Sequence, residues 1–315
     1  MAFPRVVASM IPQKRFITTF QGITALFAPK QTVTVQVSAA YNYLDLYLQT
    51  VNMTIAMFQQ IRLKIGGEVI QRWSGVDLDS RLQYDKQPTF ASQGILKLPL
   101  RRMGIRGGMN VIDFKNSMFL SGSARDLSYE SSLNCGSAGG GFKAIQDISI
   151  EIDIVNTGAL APSVQVFSRV TAPVPGGPGA VYRVDQQTKT ISNGTVTITK
   201  AEMGMDALRP FINRITLVPP AGTLDNFQLR YGTNDWWTVG AKLLQYTQTE
   251  DFLRASNIPT QYVLDFQEEG WGDTMLDMSA SNSDILLQFD SVGGAGTLTY
   301  YIESLGLPFA SNSGN

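Results

Sequence analysis

Alternation of apolar and polar residues at period two runs through most of this chain. Thr32-Val33-Thr34-Val35-Gln36-Val37 and Tyr43-Leu44-Asp45-Leu46-Tyr47-Leu48 put the two classes on opposite faces, as half-buried strands require. Residues 53–65 read as two strands with a bend, and 95–100 as another. Residues 147–155 place Ile148, Ile150, Ile152 and Ile154 on one face; a loop over 156–162 then predicts a hairpin into Ser163-Val164-Gln165-Val166-Phe167. Residues 285–303 repeat that pattern around Gly293-Gly294-Ala295-Gly296. Helix is scarce. Ser74 to Asp77 predicts a capping box ahead of Leu78 and Leu82. Thr238 predicts a second cap, followed by Val239, Leu243 and Tyr246. Each short helix follows a tryptophan-bearing strand, Trp73 in one case and Trp236-Trp237 in the other.

The two halves echo one another in order. Leu63-Lys64-Ile65-Gly66-Gly67 returns as Leu229-Arg230-Tyr231-Gly232-Thr233, Val111-Ile112-Asp113-Phe114 as Val263-Leu264-Asp265-Phe266, and the strand at 147–155 as 284–292. The separation shrinks along the chain, so the first copy carries longer loops while the strands persist. Thr171 to Ala180, rich in Pro and Gly, reads as a linker. Beyond it, residues 189–198 read as a hairpin around Asn193-Gly194 with no counterpart in the first copy. The prediction is an all-β chain of two tandem sandwiches, each of about eight strands with one inserted helix. Its parts are an N-terminal arm at 1–15, a first sandwich at 16–170, a linker and hairpin at 171–205, and a second sandwich at 206–315.

Composition fits a packed globular protein: 315 residues, 43% hydrophobic, 16% charged and net charge −1. The charge is unevenly divided. Residues 1–165 hold 16 Lys+Arg against 11 Asp+Glu, and the remainder 9 against 15. Such polarity can orient a subunit in an assembly, or it can be drift after duplication. No stretch approaches the roughly 18 apolar residues of a membrane span, and residues 1–10 lack an unbroken apolar core for a targeting signal.

Catalytic chemistry is poorly supplied. With no histidine and one cysteine, Cys135, histidine-based triads, histidine-ligated metals and cysteine-rich metal sites are excluded. No catalytic or cofactor-binding residue is assigned. Paired carboxylates remain the one route to an enzyme, a glycoside hydrolase. Asp77, Asp79 and Asp85 are weak candidates for calcium without the loop spacing of a calcium hand; a helix N-terminal acid explains Asp77 equally. Arg5, Lys14 and Arg15, among apolar residues, and Arg101, Arg102 and Arg106 in a Gly-rich loop are candidates to face lipid headgroups or packaged nucleic acid, or to be solvated loops. No aromatic stacking array marks a dedicated single-strand binder. A tandem lectin or adhesin, with Trp236, Trp237 and Trp271 stacking on sugars, is the alternative reading.

The tandem β domains, the strand-to-helix stretch at 61–82 and the C-terminal run at 262–307 resemble the double-jelly-roll major capsid proteins of the adenovirus–tectivirus lineage. The size is similar to the compact coats of tailless phages with an internal membrane (corticovirus-like). That resemblance implies two eight-stranded jelly rolls, a homotrimer of pseudo-hexagonal outline, and an icosahedral shell tiled with neighbouring capsomers. It further implies vertex and minor capsid proteins as partners, synthesis in the host cytoplasm and residence in the virion. The N-terminal arm would meet the inner membrane, with no sequence-specific nucleic-acid partner and no enzyme activity.

Overall fold

The computed structural model describes residues 13–21, 31–100, 133–135, 145–155, 161–171, 173, 181–204, 211–231, 234–250, 261–266, 276–277 and 285–306. The chain divides into two compact units: one reaching to Gln83 and including Gln87–Tyr182, the other built of Tyr84–Lys86 and Arg183–Gly306.

The first unit opens with β1 (Gln13–Gln21), β2 (Gln31–Val37) and β3 (Asn42–Val51). A 3-10 turn at Ile55–Met57 leads into β4 (Phe58–Ile65), then β5 (Glu68–Trp73), helix α1 (Gly75–Tyr84), helix α2 (Phe90–Gln93) and β6 (Ile95–Pro99). The short β7 (Leu133–Asn134), β8 (Ile148–Ile154) and β9 (Ser163–Thr171) complete it. Where two strands with a bend were expected at 53–65, the turn takes the first residues and a single strand the rest. One sheet has the order β1-β9-β3-β6, with β7 on β3; the other runs β5-β4-β8-β2.

Why the chain chooses these partners is visible in β8. Its isoleucines Ile148, Ile150, Ile152 and Ile154 are all buried. In register they meet Val37, Val35, Val33 and Gln31 of β2 on one side, and Ile65, Leu63, Ile61 and Phe58 of β4 on the other. Burying each such side chain contributes about 1.5–3 kcal/mol. A slip of one residue would turn the whole set toward water.

The second unit contains β10 (Val181–Ile191), β11 (Gly194–Thr199), β12 (Phe211–Val218), β13 (Thr223–Tyr231), β14 (Asn234–Val239), helix α3 (Ala241–Glu250), β15 (Tyr262–Asp265), β16 (Leu276–Asp277), β17 (Ile285–Val292) and β18 (Gly296–Gly306). Its sheets are β10-β18-β12-β15, with β16 on β12, and β11-β17-β13-β14. Adding nine to each first-unit label therefore reproduces the second unit strand for strand, including the helix after the fifth strand. Each unit is a jelly roll, and its core lies between the two sheets. In the second unit that core gathers Ile198, Ile215, Leu217, Phe227, Leu229, Leu264, Phe289 and Ile302.

This correspondence revises four expectations. Residues 189–198 are not an isolated hairpin: β10 and β11 hold the places of β1 and β2, and they lie in different sheets. Asn193-Gly194 is thus a corner between sheets, and the Asn193 side-chain carbonyl accepts a hydrogen bond from the Gly294 N–H at 3.1 Å. The closing pairs β8/β9 and β17/β18 likewise cross between sheets and do not form hairpins. Finally, β15 answers to β6, at 95–99; the Val111–Phe114 echo lies outside the described residues.

The tight crossing at β17/β18 has a steric condition. Gly222 sits at φ +69°, and a Cβ there would lie 2.2 Å from the Val292 carbonyl oxygen. No side chain fits that approach.

Candidate functional site

α1 starts as its sequence requires. The Asp77 N–H donates to Ser74 Oγ at 3.0 Å, and the Ser74 hydroxyl donates to the Asp77 carboxylate at 2.7 Å. Leu78 and Leu82 are buried on one face. The corresponding α3 departs from expectation. Thr238 and Val239 belong to β14, and the N-terminal N–H of Ala241 donates instead to the Asp225 carboxylate at 2.6 Å. A bulge in β13 between Asp225 and Gln228 aims that carboxylate. The buried face of α3 is Leu244 and Gln248, whose amide donates to the Val263 carbonyl at 2.7 Å. Leu243 and Tyr246 are exposed, at 57% and 60%.

The three candidate calcium ligands have separate tasks. Asp77 caps α1. Asp79 accepts the Phe90 N–H at 2.5 Å and so starts α2; burial raises its pKa while that hydrogen bond lowers it. Asp85, counted with the second unit, pairs with Arg214 at 3.2 Å. Each carboxylate is spent on a protein group, and among the described residues no cluster of three His, Cys, Asp or Glu could hold a metal.

Of the basic candidates, Lys14 and Arg15 belong to β1 and not to an arm. The exposed Arg15 guanidinium lies 4.2 Å from the centre of the Tyr41 ring, within cation–π range. Arg5, Arg101, Arg102 and Arg106 lie outside the described residues. Of the tryptophans assigned to the lectin alternative, Trp237 is half-buried against the second core. Trp271 lies outside the described residues.

Sequence reading missed the charged groups buried in the sheets. On the face of β4 and β8, Arg62 reaches Glu151 at 3.0 Å and Asp153 at 2.6 Å, and Lys64 also pairs with Glu151. Lys64 and Arg62 together hold the Glu151 carboxyl below its ordinary pKa. In the first unit the fully buried Asp45 lies 3.4 Å from Lys97 and 3.9 Å from Arg169. In the second, the fully buried Arg214 lies 2.6 Å from Asp265, 3.2 Å from Asp85 and 4.0 Å from Glu303. The Tyr84 ring centre is 5.3 Å from the same guanidinium. The available signal was a charge interrupting the apolar stretches 43–48 and 211–218. Strand alternation reads such a residue as solvated, whereas the outer faces of β3 and β12 are buried as well.

These acids are therefore held by cations and are engaged in packing. What the geometry repeats is architecture: two sheets, one strand order and one helix, built twice.

Comparison with known proteins follows the same line. Residues 19–171 match the family model of the viral coat protein P2 N-terminal domain. The fold is similar to that of the major capsid protein P2 from bacteriophage PM2, with a TM-score of 0.75, 15% identity, and coverage of 96% of this chain and 99% of that one. It is also similar to the major capsid protein of Sulfolobus Turreted Icosahedral Virus (TM-score 0.63, 12% identity, 95% and 97% coverage). The PBCV-1 virus capsid protein follows at TM-score 0.53 and 9% identity, with 95% and 96% coverage. No curated protein sequence matches significantly. Residues 19–171 thus match the viral coat protein P2 N-terminal domain, and the whole chain shares the double-jelly-roll fold of these major capsid proteins.

Proposed function

We propose that this protein is the main shell subunit of an icosahedral virus with an internal membrane, and that it works as a trimer. Two jelly rolls per chain give six per trimer, hence a pseudo-hexagonal capsomer able to tile a facet beside identical neighbours, with vertex and minor capsid proteins at its borders. The observation that carries this reading is the identity of strand order in the two units. A rotation by a sixth of a turn then meets an equivalent body while the true symmetry stays threefold. Sheet edges also need cover, and association of copies supplies it.

Self-association is supported by the comparison of the two helices. With Ser74 matched to Gly240 by their equivalent first hydrogen bonds, to Leu78 and to Leu244, the positions of Asp77 and Ser80 in α1 are filled by Leu243 and Tyr246 in α3. The second unit has thus placed large exposed apolar groups where the first keeps polar ones. Light scattering on the purified protein is expected to give three times the chain mass, and electron microscopy hexagonal particles. A monomer stable across the concentration range would overturn the reading. For residues 1–12 and the basic candidates Arg5, Lys14 and Arg15, the reading assigns contact with anionic lipid. Co-flotation with vesicles containing anionic lipid, lost on replacing Arg5, Lys14 and Arg15 by Ser, is the expected result.

A further inference from the structure

The buried charge groups of the two units occupy equivalent places with inverted sign. In both units the third strand of the jelly roll carries a bulge, at Tyr43/Asp45 in β3 and at Ile212/Arg214 in β12. The first residue after each bulge is the buried central charge. Asp45 stands opposite Arg169 of the last strand, and Arg214 opposite Glu303 of its last strand. On the other flank Asp45 stands opposite Pro99, with Lys97 one pair further along the same face, while Arg214 stands directly opposite Asp265. The central-to-last-strand separations match, 3.9 Å in one unit and 4.0 Å in the other. One unit has an anion between two cations. Its twin has a cation among anions.

We propose that this inversion is a pairing code that keeps strands of one jelly roll out of the other. Two tandem domains of identical topology are prone to exchange equivalent strands while folding, within a chain or between crowded copies. Hydrophobic pattern cannot prevent it: β3 and β12 both present alternating apolar residues to a core, and β9 and β18 both receive them. Charge can. Were β12 to enter the first unit between β6 and β9, Arg214 would lie against Arg169 and near Lys97. Were β3 to enter the second, Asp45 would lie against Asp265 and Glu303. Each exchange brings like charges together in place of the opposite central charge, which is more costly than leaving the matched set in place. The discrimination is set by register, because the bulge fixes which residue faces the last strand.

Inverted charge sets test this through refolding of the full chain from denaturant. One chain carries Asp45→Arg, Lys97→Asp and Arg169→Glu; a second carries Arg214→Asp, Asp265→Lys, Glu303→Arg and Asp85→Asn; a third carries both sets. Each set keeps its own cluster matched in sign. The first two chains have equal signs in both units and should lose about threefold or more in yield of native protein. The third has opposite signs again and should recover most of that loss. Independent losses that multiply in the third chain would overturn the proposal. If either set prevents folding altogether, Asp45→Asn decides, since it removes the repulsion that bars β3 from the second unit. The expected result is a fall in refolding yield, with strand-exchanged dimers, larger than the shift of its denaturation midpoint explains. A yield that simply tracks the midpoint would count against the code.

Discussion

At the scale of single residues, two side chains make the stability of the units measurable. Glu202 closes a reciprocal cap in the second unit: its carboxylate accepts the Thr199 N–H at 2.8 Å while its own N–H donates to Thr199 Oγ1 at 3.3 Å. Lys189 pairs with the same carboxylate, and these contacts hold its pKa below the usual range, the Lys189 hydrogen bond first among them. A carboxyl whose folded pKa is depressed stabilises the protein above its unfolded value, about 4.3, and that contribution disappears as pH falls through the folded value. Glu202→Gln should therefore lower stability by a few tenths to about 1 kcal/mol at pH 7, and the difference from wild type should close below about pH 4. Denaturant titrations at several pH values check this; a gap constant with pH would show that ionisation is not involved. Cys135 reports on the first unit. It is fully buried, its N–H donates to the Tyr41 carbonyl at 3.1 Å, and burial pushes the thiol up to about 12. Since the thiolate is the reactive form, a thiol reagent at pH 8 should label it only as fast as the first unit opens. Prompt stoichiometric labelling of the native protein would contradict that burial.

At the scale of elements, the two helices are one structural idea with two solutions. α1 is capped by its own Ser74, a signal within three residues of the helix and legible in sequence. α3 is capped by Asp225, sixteen residues earlier in β13, and no local pattern could reveal that. Asp225→Ala should cost about 1 kcal/mol, lowering the midpoint of the second-unit transition while Thr238→Ala leaves it nearly unchanged. Differential scanning calorimetry distinguishes them, and a larger loss from Thr238→Ala would restore the local cap. The same contrast explains what could be read ahead. Strands such as 148–154 announce themselves by alternation, and α1 by its Ser74 cap and the leucines at 78 and 82. Strand partnership does not announce itself, since period two says which face a residue takes and not which strand lies beside it. Hence β10 and β11, adjacent in sequence around Asn193-Gly194, read as a hairpin although they belong to different sheets. The Asp45 and Arg214 clusters escaped for a related reason: each is assembled from three or more segments far apart in sequence, and only topology brings them together.

At the scale of the whole molecule, duplication with divergence suits a subunit that must meet its own copies. Equal halves could associate through either unit; here the halves differ in charge and in the outward surface of one helix. In the proposed trimer, the basic first half and acidic second half would favour head-to-tail contact, in which unlike halves of neighbouring copies adjoin, and such contact would close into a ring under threefold symmetry. The exposed Leu243 and Tyr246 on α3 are the apolar groups assigned to that contact. Replacing both by Asp should weaken association at least tenfold, which sedimentation equilibrium would register as a shift from trimer toward monomer. Thermal unfolding of the monomer should hardly change, because exposed positions away from the core normally alter stability by no more than about 0.5 kcal/mol. Charge attraction between unlike halves is screened by salt over roughly 8–10 Å at physiological strength, so wild-type assembly should slow as salt rises. Apolar contact has no such dependence, and the uncharged pair Leu243→Ser with Tyr246→Ser should lose affinity equally at low and high salt. If Leu243→Asp with Tyr246→Asp assembles like the wild type, α3 is not a contact and the apolar exchange from Asp77 and Ser80 is drift. If salt leaves the assembly rate untouched, the division of charge between the halves plays no part in bringing copies together.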